Sequence, residues 1–286
     1  MAFYQDETAC RLFGISRQGI YQREQRVNKR VRELQQVKAS VITERMCLPR
    51  LGTRKLYYLL KDKFVCNGIK IGRDGLFAFL QSEHLLIKPK RSYHKTTNSK
   101  HWLHKYPNLL KDTKVKRINE VWVSDITYID TKEKTAYLSL ITDTFSRKIM
   151  GYHLHETLHT DGVEMALKDA LKRRKTNHPL IHHSDRGIQY CASQYQNLLR
   201  KNHITPSMTD GYDCYQNALA ERINGILKAE FLIVKPKDFK QAKIMIKQAI
   251  KHYNNKRPHL ALEYKTPNQI HYKKSLPVLP DKDYIY

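Results

Sequence analysis

The sequence has no run of 18 or more apolar residues, so we expect no membrane-spanning helix. Residues 1–14 contain only short apolar runs, and we therefore expect no signal peptide. The five cysteines are an odd number, are widely spaced and include no Cys-x-x-Cys pair. This pattern argues against a disulfide framework and against a cysteine-based zinc site, and it predicts free thiols in a reducing cytoplasm.

Acidic residues are also scarce. The chain has 27 Asp and Glu against 52 Lys and Arg, which gives a formal net charge of +25. Residues 1–118 carry 26 basic and 9 acidic residues, whereas residues 119–286 carry 26 and 18. A basic chain with a more basic N-terminal part predicts a polyanionic partner, most often nucleic acid. The alternative on charge alone is a ribosome-associated or simply very soluble basic protein.

Residues 1–28 fit the pattern of a helix-turn-helix. A short helix over Thr8–Phe13 would precede a turn at Gly14, and Ser16 would cap a second helix. Arg17 and neighbouring polar residues would then lie on the exposed side of the second helix, where a recognition helix contacts DNA. The alternative is an ordinary helical hairpin.

Residues 29–90 are helical by period and end in the strand-like segment LLIKP. The apolar residues Val27, Val31, Leu34 and Val41 predict one buried face of a long helix. Two further helices and a short hairpin would make a winged-helix-like, DNA-binding region. Solvated charged faces are the alternative for its candidate phosphate contacts, which are Arg54, Lys55, Lys70 and Arg73.

Residues 91–118 have little apolar periodicity and many basic residues, which predicts a basic linker that follows a DNA backbone. His101 and His104 form a His-x-x-His pair, but no Cys-x-x-Cys pair completes a zinc site, so we expect no metal there. Residues 276–286 are expected to be a C-terminal tail.

Residues 119–275 change character. Three strand-like segments in succession are followed by alternating helices and strands, which predicts an α/β domain with a mixed sheet. The first segment, EVWVSDITYID, is apolar on both faces and is therefore expected to be a central strand.

Three carboxylates lie in this region. Asp125 is on the central strand, Asp185 is at the tip of a later strand in IHHSDRGIQY, and Glu221 is on a helix with small and apolar residues around it. The first two are 60 positions apart, and 35 residues separate the second from Glu221. Buried carboxylates need a cation, a neighbouring Arg186 or water. Three acids without a histidine or cysteine ligand set fit an oxygen-only site for Mg²⁺ or Mn²⁺.

The segments VWVSDITYI, IHHSDRGIQY, SMTDGYDCYQNALAERINGILKAEF and HYNNKRPHLALEYKTPNQI resemble the catalytic core of retroviral integrases and insertion-sequence transposases. The nearest resemblance is to the insertion sequence 3 family, in its downstream-reading-frame (OrfB) form. LGTRKLYYLL and IGRDGLF are similar to the helical region ahead of that core. One departure is Gln216-Asn217, where many members of the family have Asp-Asn.

The resemblance implies an RNase H-like catalytic core with a DDE triad of Asp125, Asp185 and Glu221. It also implies two Mg²⁺ or Mn²⁺ ions, binding of the terminal inverted repeats of an element and of target DNA, cleavage at the element ends and strand transfer. A homo-oligomer on DNA, in the bacterial cytoplasm and at the nucleoid when bound, is expected. Fusion to, or partnership with, an upstream-frame protein stays open.

Two other functions use the same features. A nuclease acting on RNA–DNA hybrids would share the core, but it would need no basic N-terminal region for end binding. A DNA-binding regulator with an inactive core would share the charge, but it would need no intact acid triad.

Residues near the triad have less definite roles. Lys228, two helical turns after Glu221, is expected to contact a phosphate of the donor end, while Arg186 binds the scissile strand or pairs with Asp185. His183 orients the metal-binding loop or is a satisfied core histidine. Asp143 also ends a strand, and we expect it to cap backbone N–H groups of a tight turn with Arg147 as a charge partner.

Overall fold

The computed structural model describes residues 10, 12, 14–88, 102–111, 113–210 and 217–273. The chain divides into two compact units, with the boundary between residues 88 and 89. The expected helix at 8–13 and the expected tail at 276–286 lie wholly or mostly outside the described residues.

The first unit is made of three helices in its described part, namely α1 (Arg17–Cys47), α2 (Thr53–Cys66) and α3 (Arg73–Ser82). Ser16 caps α1 as expected, since its side chain accepts a hydrogen bond from the backbone N–H of Gly19. The core of this unit comes from apolar residues at helical spacing, which include Val37, Val41, Leu56, Leu60, Phe64, Leu76 and Leu80.

Two expectations for this unit differ from its described residues. Residues 14–88 contain no strand, so residues 83–88, the described part of the segment after α3, form no strand of the expected hairpin. Helix α1 also continues through residue 28, where a boundary between two regions was expected. Val27 and Val31 are 52% and 48% exposed, because only the C-terminal half of α1 packs against α2 and α3 within this unit.

The second unit contains a five-stranded mixed sheet in the spatial order β3-β2-β1-β4-β5. Strand β1 is central, antiparallel to β2 and parallel to β4, as its two apolar faces indicate. The strands are β1 (Val121–Asp130), β2 (Thr135–Asp143), β3 (Ile149–His155), β4 (Leu180–Ser184) and β5 (Ile204–Met208).

The helices of the second unit follow the sequence expectation closely. They are α4 (Thr160–Arg173), α5 (Ile188–Cys191), α6 (Ser193–Lys201), α7 (Ala218–Ile226), α8 (Phe239–Asn255) and α9 (Pro267–His271). A π-helical turn, Leu227–Phe231, follows α7, and a 3-10 turn, Leu260–Leu262, precedes α9. No helix among the described residues is long and apolar enough to span a membrane.

Helices pack on both faces of the sheet. On one face, α4 lies against β3 so closely that a Cβ atom at Gly151 would be 2.2 Å from the backbone oxygen of Ala166. On the other face, Ala220 of α7 packs with Val121 and Val123 of β1. The first face holds the larger apolar core, and the second holds the candidate acids.

The segment before β1 corrects the expected linker for the part that the structure describes. Leu110 is buried with Val121 and Val123, and the backbone N–H of Leu109 donates to Ser207 Oγ at 2.9 Å. The N–H of Met208 donates to the carbonyl of Pro107. Residues 106–110 therefore belong to the second unit.

Candidate active site

Asp125 lies on the face of β1 that α7 covers. Side chains alternate along a strand, so Asp125 shares a face with Val121 and Val123, which pack against Ala220 of α7. The strand is central because its neighbours β2 and β4 pair with it on both sides. The fold thus places a carboxylate between a sheet and a helix.

The register of β1 and β4 brings the second aspartate to the first. Val121 pairs with Ile181 and Val123 with His183, an offset of 60 residues. Asp125 and Asp185 are separated by the same 60 positions. Both aspartates follow the last pair by two positions, Asp125 on β1 and Asp185 in the turn just after β4, and the charge of Asp185 raises the pKa of Asp125, so the two carboxylates are neighbours.

Asp185 occupies the turn between β4 and α5. Its Oδ1 accepts the backbone N–H of Gly187 at 3.0 Å, and the hydroxyl of Ser184 donates to its carbonyl at 3.0 Å. A Cβ atom at Gly187 would lie 3.0 Å from the same Oδ1. The glycine after the aspartate and the arginine therefore lets the turn fold back on its own carboxylate.

Glu221 lies on α7, which two asparagines connect to β1. Asn217 Nδ2 donates to the carbonyl of Ser124 at 3.0 Å, and Asn224 Nδ2 donates to Asp125 Oδ2 at 2.7 Å. Both asparagines are 5% exposed. Sequence reasoning missed them, although positions 217, 221 and 224 share one helical face by their spacing.

The carboxylates repel one another. Burial, then the charge of Asp185 and to a lesser degree that of Glu221, raises the pKa of Asp125 to about 8, although the Asn224 hydrogen bond opposes the rise. Burial and the charge of Asp185 also raise the pKa of Glu221. The three acids therefore form one electrostatic cluster in which negative charge is poorly compensated.

The donor chemistry of this cluster fits a hard divalent cation, because every side-chain donor is a carboxylate oxygen. Among the described residues, no three histidine, cysteine, aspartate or glutamate side chains converge tightly enough to form a metal site. The charges of the three acids therefore affect one another's pKa, but their side chains do not converge around one metal position.

The two cations expected near the triad have different neighbours. Arg186 lies 4.0 Å from Asp210, which also pairs with Lys111 at 3.5 Å. Lys228 lies in the π-helical turn, where burial lowers its pKa and the charges of Asp130 and Asp125 raise it. Its ammonium group is therefore within reach of the first acid.

His183 is a satisfied core histidine as well as a neighbour of the acids. It is fully buried, and its Nδ1 is 2.9 Å from Ser207 Oγ on β5. Ser124 and Tyr190, each close in sequence to one of the candidate aspartates, are joined through their hydroxyls at 2.8 Å on the opposite face of the sheet. These contacts connect β1, the β4 turn and β5 around the site.

Polar residues at the end of α8 and just after it make structural contacts. Asn254 accepts from the N–H of Ile149 and donates to its carbonyl, which caps the outer strand β3. Arg257 forms a two-point ion pair with Glu230 at 2.6 and 2.8 Å, and one of its N–H groups contacts His259.

The other candidate DNA contacts belong to the first unit, whereas the three acids belong to the second. Arg17 and Arg54 are exposed and Lys55 is half-buried. Arg73 is exposed and donates to Asp74 at 2.9 Å. The structure shows these four as accessible basic groups of a helical unit.

Comparison with known proteins gives the same fold. The integrase core domain family matches residues 115–214, and a second integrase core domain family matches residues 202–267. A chain of the simian T-cell lymphotropic virus intasome, solved in complex with PP2A regulatory subunit B56 gamma, covers 82% of this chain and 79% of its own length. Its TM-score is 0.51 and its identity 20%.

Sequence relatives are more specific. The uncharacterized 31 kDa protein of insertion element IS600 from Shigella sonnei is 37% identical over 227 residues, which cover 78% of this chain and 82% of that protein. Transposase InsF of insertion sequence IS3fB from Escherichia coli K12 is 31% identical over 231 residues, 77% of each chain. The transposase of IS904 from Lactococcus lactis is 31% identical over 244 residues, 82% of this chain and 94% of that protein.

These relatives match at more than 30% identity over most of their length, and the fold and the integrase core agree with them. The chain therefore belongs to the insertion sequence 3 family of transposases, polynucleotidyl transferases that act in DNA transposition with an integrase-type core.

Proposed function

We propose that Asp125, Asp185 and Glu221 are the catalytic carboxylates of this transposase and that they hold two Mg²⁺ or Mn²⁺ ions. The observation that carries the proposal is the β1–β4 register, whose offset of 60 residues equals the separation of the two aspartates. An integrase core implies dependence on a divalent metal in general, and an all-carboxylate donor set fits that requirement.

The chemistry assigned to the site is phosphodiester cleavage at element ends followed by transfer of a 3′-hydroxyl into target DNA. Bound divalent ions would supply an activated attacking oxygen and a stabilised leaving oxygen. Asp125 and Asp185 present negative charge from adjacent strands, and Glu221 presents it from α7. No side chain attacks the phosphorus, so water and then the DNA 3′-hydroxyl use the same site in turn.

Lys228 and Arg186 are proposed to contact DNA phosphates beside the acids. Lys228 lies near Asp125 and Asp130, so its ammonium would hold a phosphate of the donor end against the catalytic carboxylates. Arg186 follows Asp185 directly, and a phosphate of the scissile strand would compete with Asp210 for its guanidinium.

The first unit is proposed to bind the terminal inverted repeats. Residues 1–118 hold 26 basic and 9 acidic residues, and Arg17, Arg54, Lys55 and Arg73 are the proposed phosphate contacts. The protein is proposed to act as a homo-oligomer on double-stranded DNA, at the nucleoid in the cytoplasm. An upstream-frame protein, fused or separate, is a further proposed partner.

Strand transfer tests the catalytic assignment. A labelled element end is incubated with plasmid, with and without Mg²⁺, and the joined product is measured. Glu221→Gln keeps the shape of the side chain and loses its charge, so we expect less than about a tenth of wild-type strand transfer with end binding nearly intact. A variant that keeps more than this fraction contradicts the assignment of Glu221. Hydrolysis of an RNA–DNA hybrid without any joined product would favour the nuclease instead.

Salt dependence tests the DNA-binding assignment in the full chain. With roughly 6–10 phosphates contacted, affinity for the element end should fall by about 10³–10⁵ between about 50 and 200 mM salt. The double change Arg54→Ala with Lys55→Ala should lower the slope of log affinity against log salt by about 2. Lys243→Ala with Lys247→Ala, two exposed lysines of α8, is the matched control and should leave the slope unchanged. Equal slopes for both double variants contradict the proposal.

A further inference from the structure

Asn224 lies directly against the first catalytic acid. It follows Glu221 by three positions on α7, and its Nδ2 donates to Asp125 Oδ2 at 2.7 Å. The bond joins residues 99 positions apart in the chain. Because α7 also carries Glu221, one amide connects the helix of the third acid to the carboxylate of the first.

The other end of the same amide is unusual. Asn224 is only 5% exposed. Its Oδ1 is buried and has no hydrogen-bond partner among the described residues. A buried carbonyl oxygen without a partner costs free energy. A residue chosen only for packing would be apolar at this position, so the amide points to a polar role beside Asp125.

Asn217 provides an internal comparison. It has the same side chain and the same 5% exposure and is the N-cap residue of α7, and its Oδ1 is also buried without a hydrogen-bond partner in the part of the chain that the structure describes. Its Nδ2, however, donates to the backbone carbonyl of Ser124 and not to a carboxylate. Both amides seat α7 on β1, but only Asn224 contacts a charged group of the active site.

We propose that Asn224 is a positioning residue for Asp125, which holds the carboxylate toward α7, where Asp125 and Glu221 would bind a divalent cation. The inference rests on the catalytic assignment proposed above. Without this bond the Asp125 carboxylate still accepts the backbone N–H of Ile126, but its rotation about the Cα–Cβ and Cβ–Cγ bonds is less restricted. Each alternative rotamer removes an oxygen from the cluster, so loss of the bond weakens metal binding without removing a ligand.

Binding of Mn²⁺ to the full-length protein, without DNA, is the test, with free Mn²⁺ measured by electron paramagnetic resonance. Asn224→Ala should weaken Mn²⁺ binding by about 10–100-fold, the range typical of partners that orient a ligand. Asn224→Leu replaces the amide by an apolar group of similar size, so it keeps the packing and should show the same loss even where the alanine variant folds poorly. Strand transfer by both variants should recover in part at high Mn²⁺.

Asn217→Ala is the matched control. It removes an equivalent bond to the backbone, so we expect a lower melting temperature and Mn²⁺ binding within about threefold of wild type, well below the loss expected for an orienting partner. Equal weakening in the Asn217 and Asn224 variants would assign the effect to the seating of α7 and overturn the proposal. A folded Asn224→Leu variant that binds Mn²⁺ as wild type does would overturn it as well.

Asp125→Ala separates this inference from the assignment on which it rests. If Mn²⁺ binding survives Asp125→Ala, the catalytic assignment fails. If Asp125→Ala removes binding and both Asn224 variants bind normally, the assignment stands and only the role of Asn224 fails.

Discussion

Two aspartates lie on neighbouring strands of one sheet, and their surroundings are opposite in kind. Asp143, at the end of β2, is fully buried, and it accepts hydrogen bonds from Asn119 N–H at 2.7 Å and from Ser146 N–H and hydroxyl at 2.8 and 2.5 Å. Asp125, on β1, accepts a bond from Asn224 and lies among other acids that raise its pKa to about 8. Asp143 is fully buried and Asp125 is half-buried, and the compensation of their charges differs.

The difference separates a structural acid, Asp143, from the proposed catalytic acid, Asp125. The donors around Asp143 satisfy its charge, and they join the segment before β1 to the β2–β3 turn, with His271 of α9 3.8 Å away. The neighbours of Asp125 leave its charge for a cation to neutralise. The prediction that Asp143 caps backbone N–H groups is confirmed, and Arg147 in the same turn has φ of 61° and accepts the Tyr253 hydroxyl through its carbonyl.

The largest expected effect is on strand transfer. Asp125→Ala should lower it by more than about 100-fold, beyond the usual cost of losing a partner that merely orients a ligand. Asp143→Asn should keep measurable strand transfer, because its contacts are with the turn and not with the acids. The plasmid joining assay measures both. A stably folded, inactive Asp143→Asn beside an active Asp125→Ala would require the triad to be redrawn.

The free energy of unfolding should fall more for the Asp143 variant than for the Asp125 variant, which is the reverse of the order expected for strand transfer. Asp143→Asn places an NH₂ group among N–H and O–H donors, so it should lower the free energy of unfolding by about 1–3 kcal/mol. Asp125→Asn should cause no such loss, because it removes a poorly compensated charge. Urea unfolding of both variants at neutral pH without metal decides the point, and a stability loss confined to Asp125→Asn would reverse the comparison.

The pH dependence of the melting temperature should report the raised pKa of Asp125. Its pKa in the folded protein is raised to about 8, so the folded state retains a proton that the unfolded chain releases near pH 4. The stabilisation that this proton brings is complete below pH 4 and is lost as pH rises to about 8. Between about pH 5 and 8 the melting temperature of the wild type should fall relative to that of Asp125→Asn, by about 2–4 °C for each kcal/mol.

Saturating Mn²⁺ should remove most of this difference, because the metal compensates the same charge. Thermal melts at several pH values, with and without Mn²⁺, make the measurement. Parallel curves for wild type and Asp125→Asn over the whole range would show that the carboxyl is not perturbed.

The smallest expected effect concerns the turn at Asp185. In Gly187→Ala the new Cβ atom would lie 3.0 Å from Asp185 Oδ1, so the carboxylate must shift by a few tenths of an ångström. We expect a loss of strand transfer of about threefold with little change in stability, because the φ of −63° at Gly187 suits any residue and the atoms nearest the new Cβ belong to the side chains of Asp185 and Gln189. Gly225→Ala on α7 is the control, because a Cβ there would contact nothing within 4 Å. Equal activity of the two variants would show that the glycine does not matter to Asp185.

Much of the second unit is determined by local sequence alone. Alternating apolar residues set the strands, and Asp125 follows from its place inside an apolar strand. The 3.6-residue period sets α4, α6, α7 and α8, and the three acids stand out because their surroundings are apolar or small. These are short-range properties, which hydrophobic periodicity reports directly.

Only the tertiary structure decided the features that depend on contacts between residues far apart in the chain. The linker-like residues 106–110 pack on β1 and β5, and no local pattern records this because their partners lie along the sheet. The N-terminal half of α1 has apolar residues at helical spacing, but the helices α2 and α3 reach only its other half.

The contact of Asn224 with Asp125 also needed the fold. Helical spacing places Asn217, Glu221 and Asn224 on one face of α7, but it does not say what that face meets. The β1–β4 register brings the aspartates together, and the packing of α7 on β1 decides that the Asn224 amide meets a carboxylate while the Asn217 amide meets a backbone carbonyl. Side-chain pairs this far apart in sequence are set by the packing of whole elements, which a local pattern does not encode.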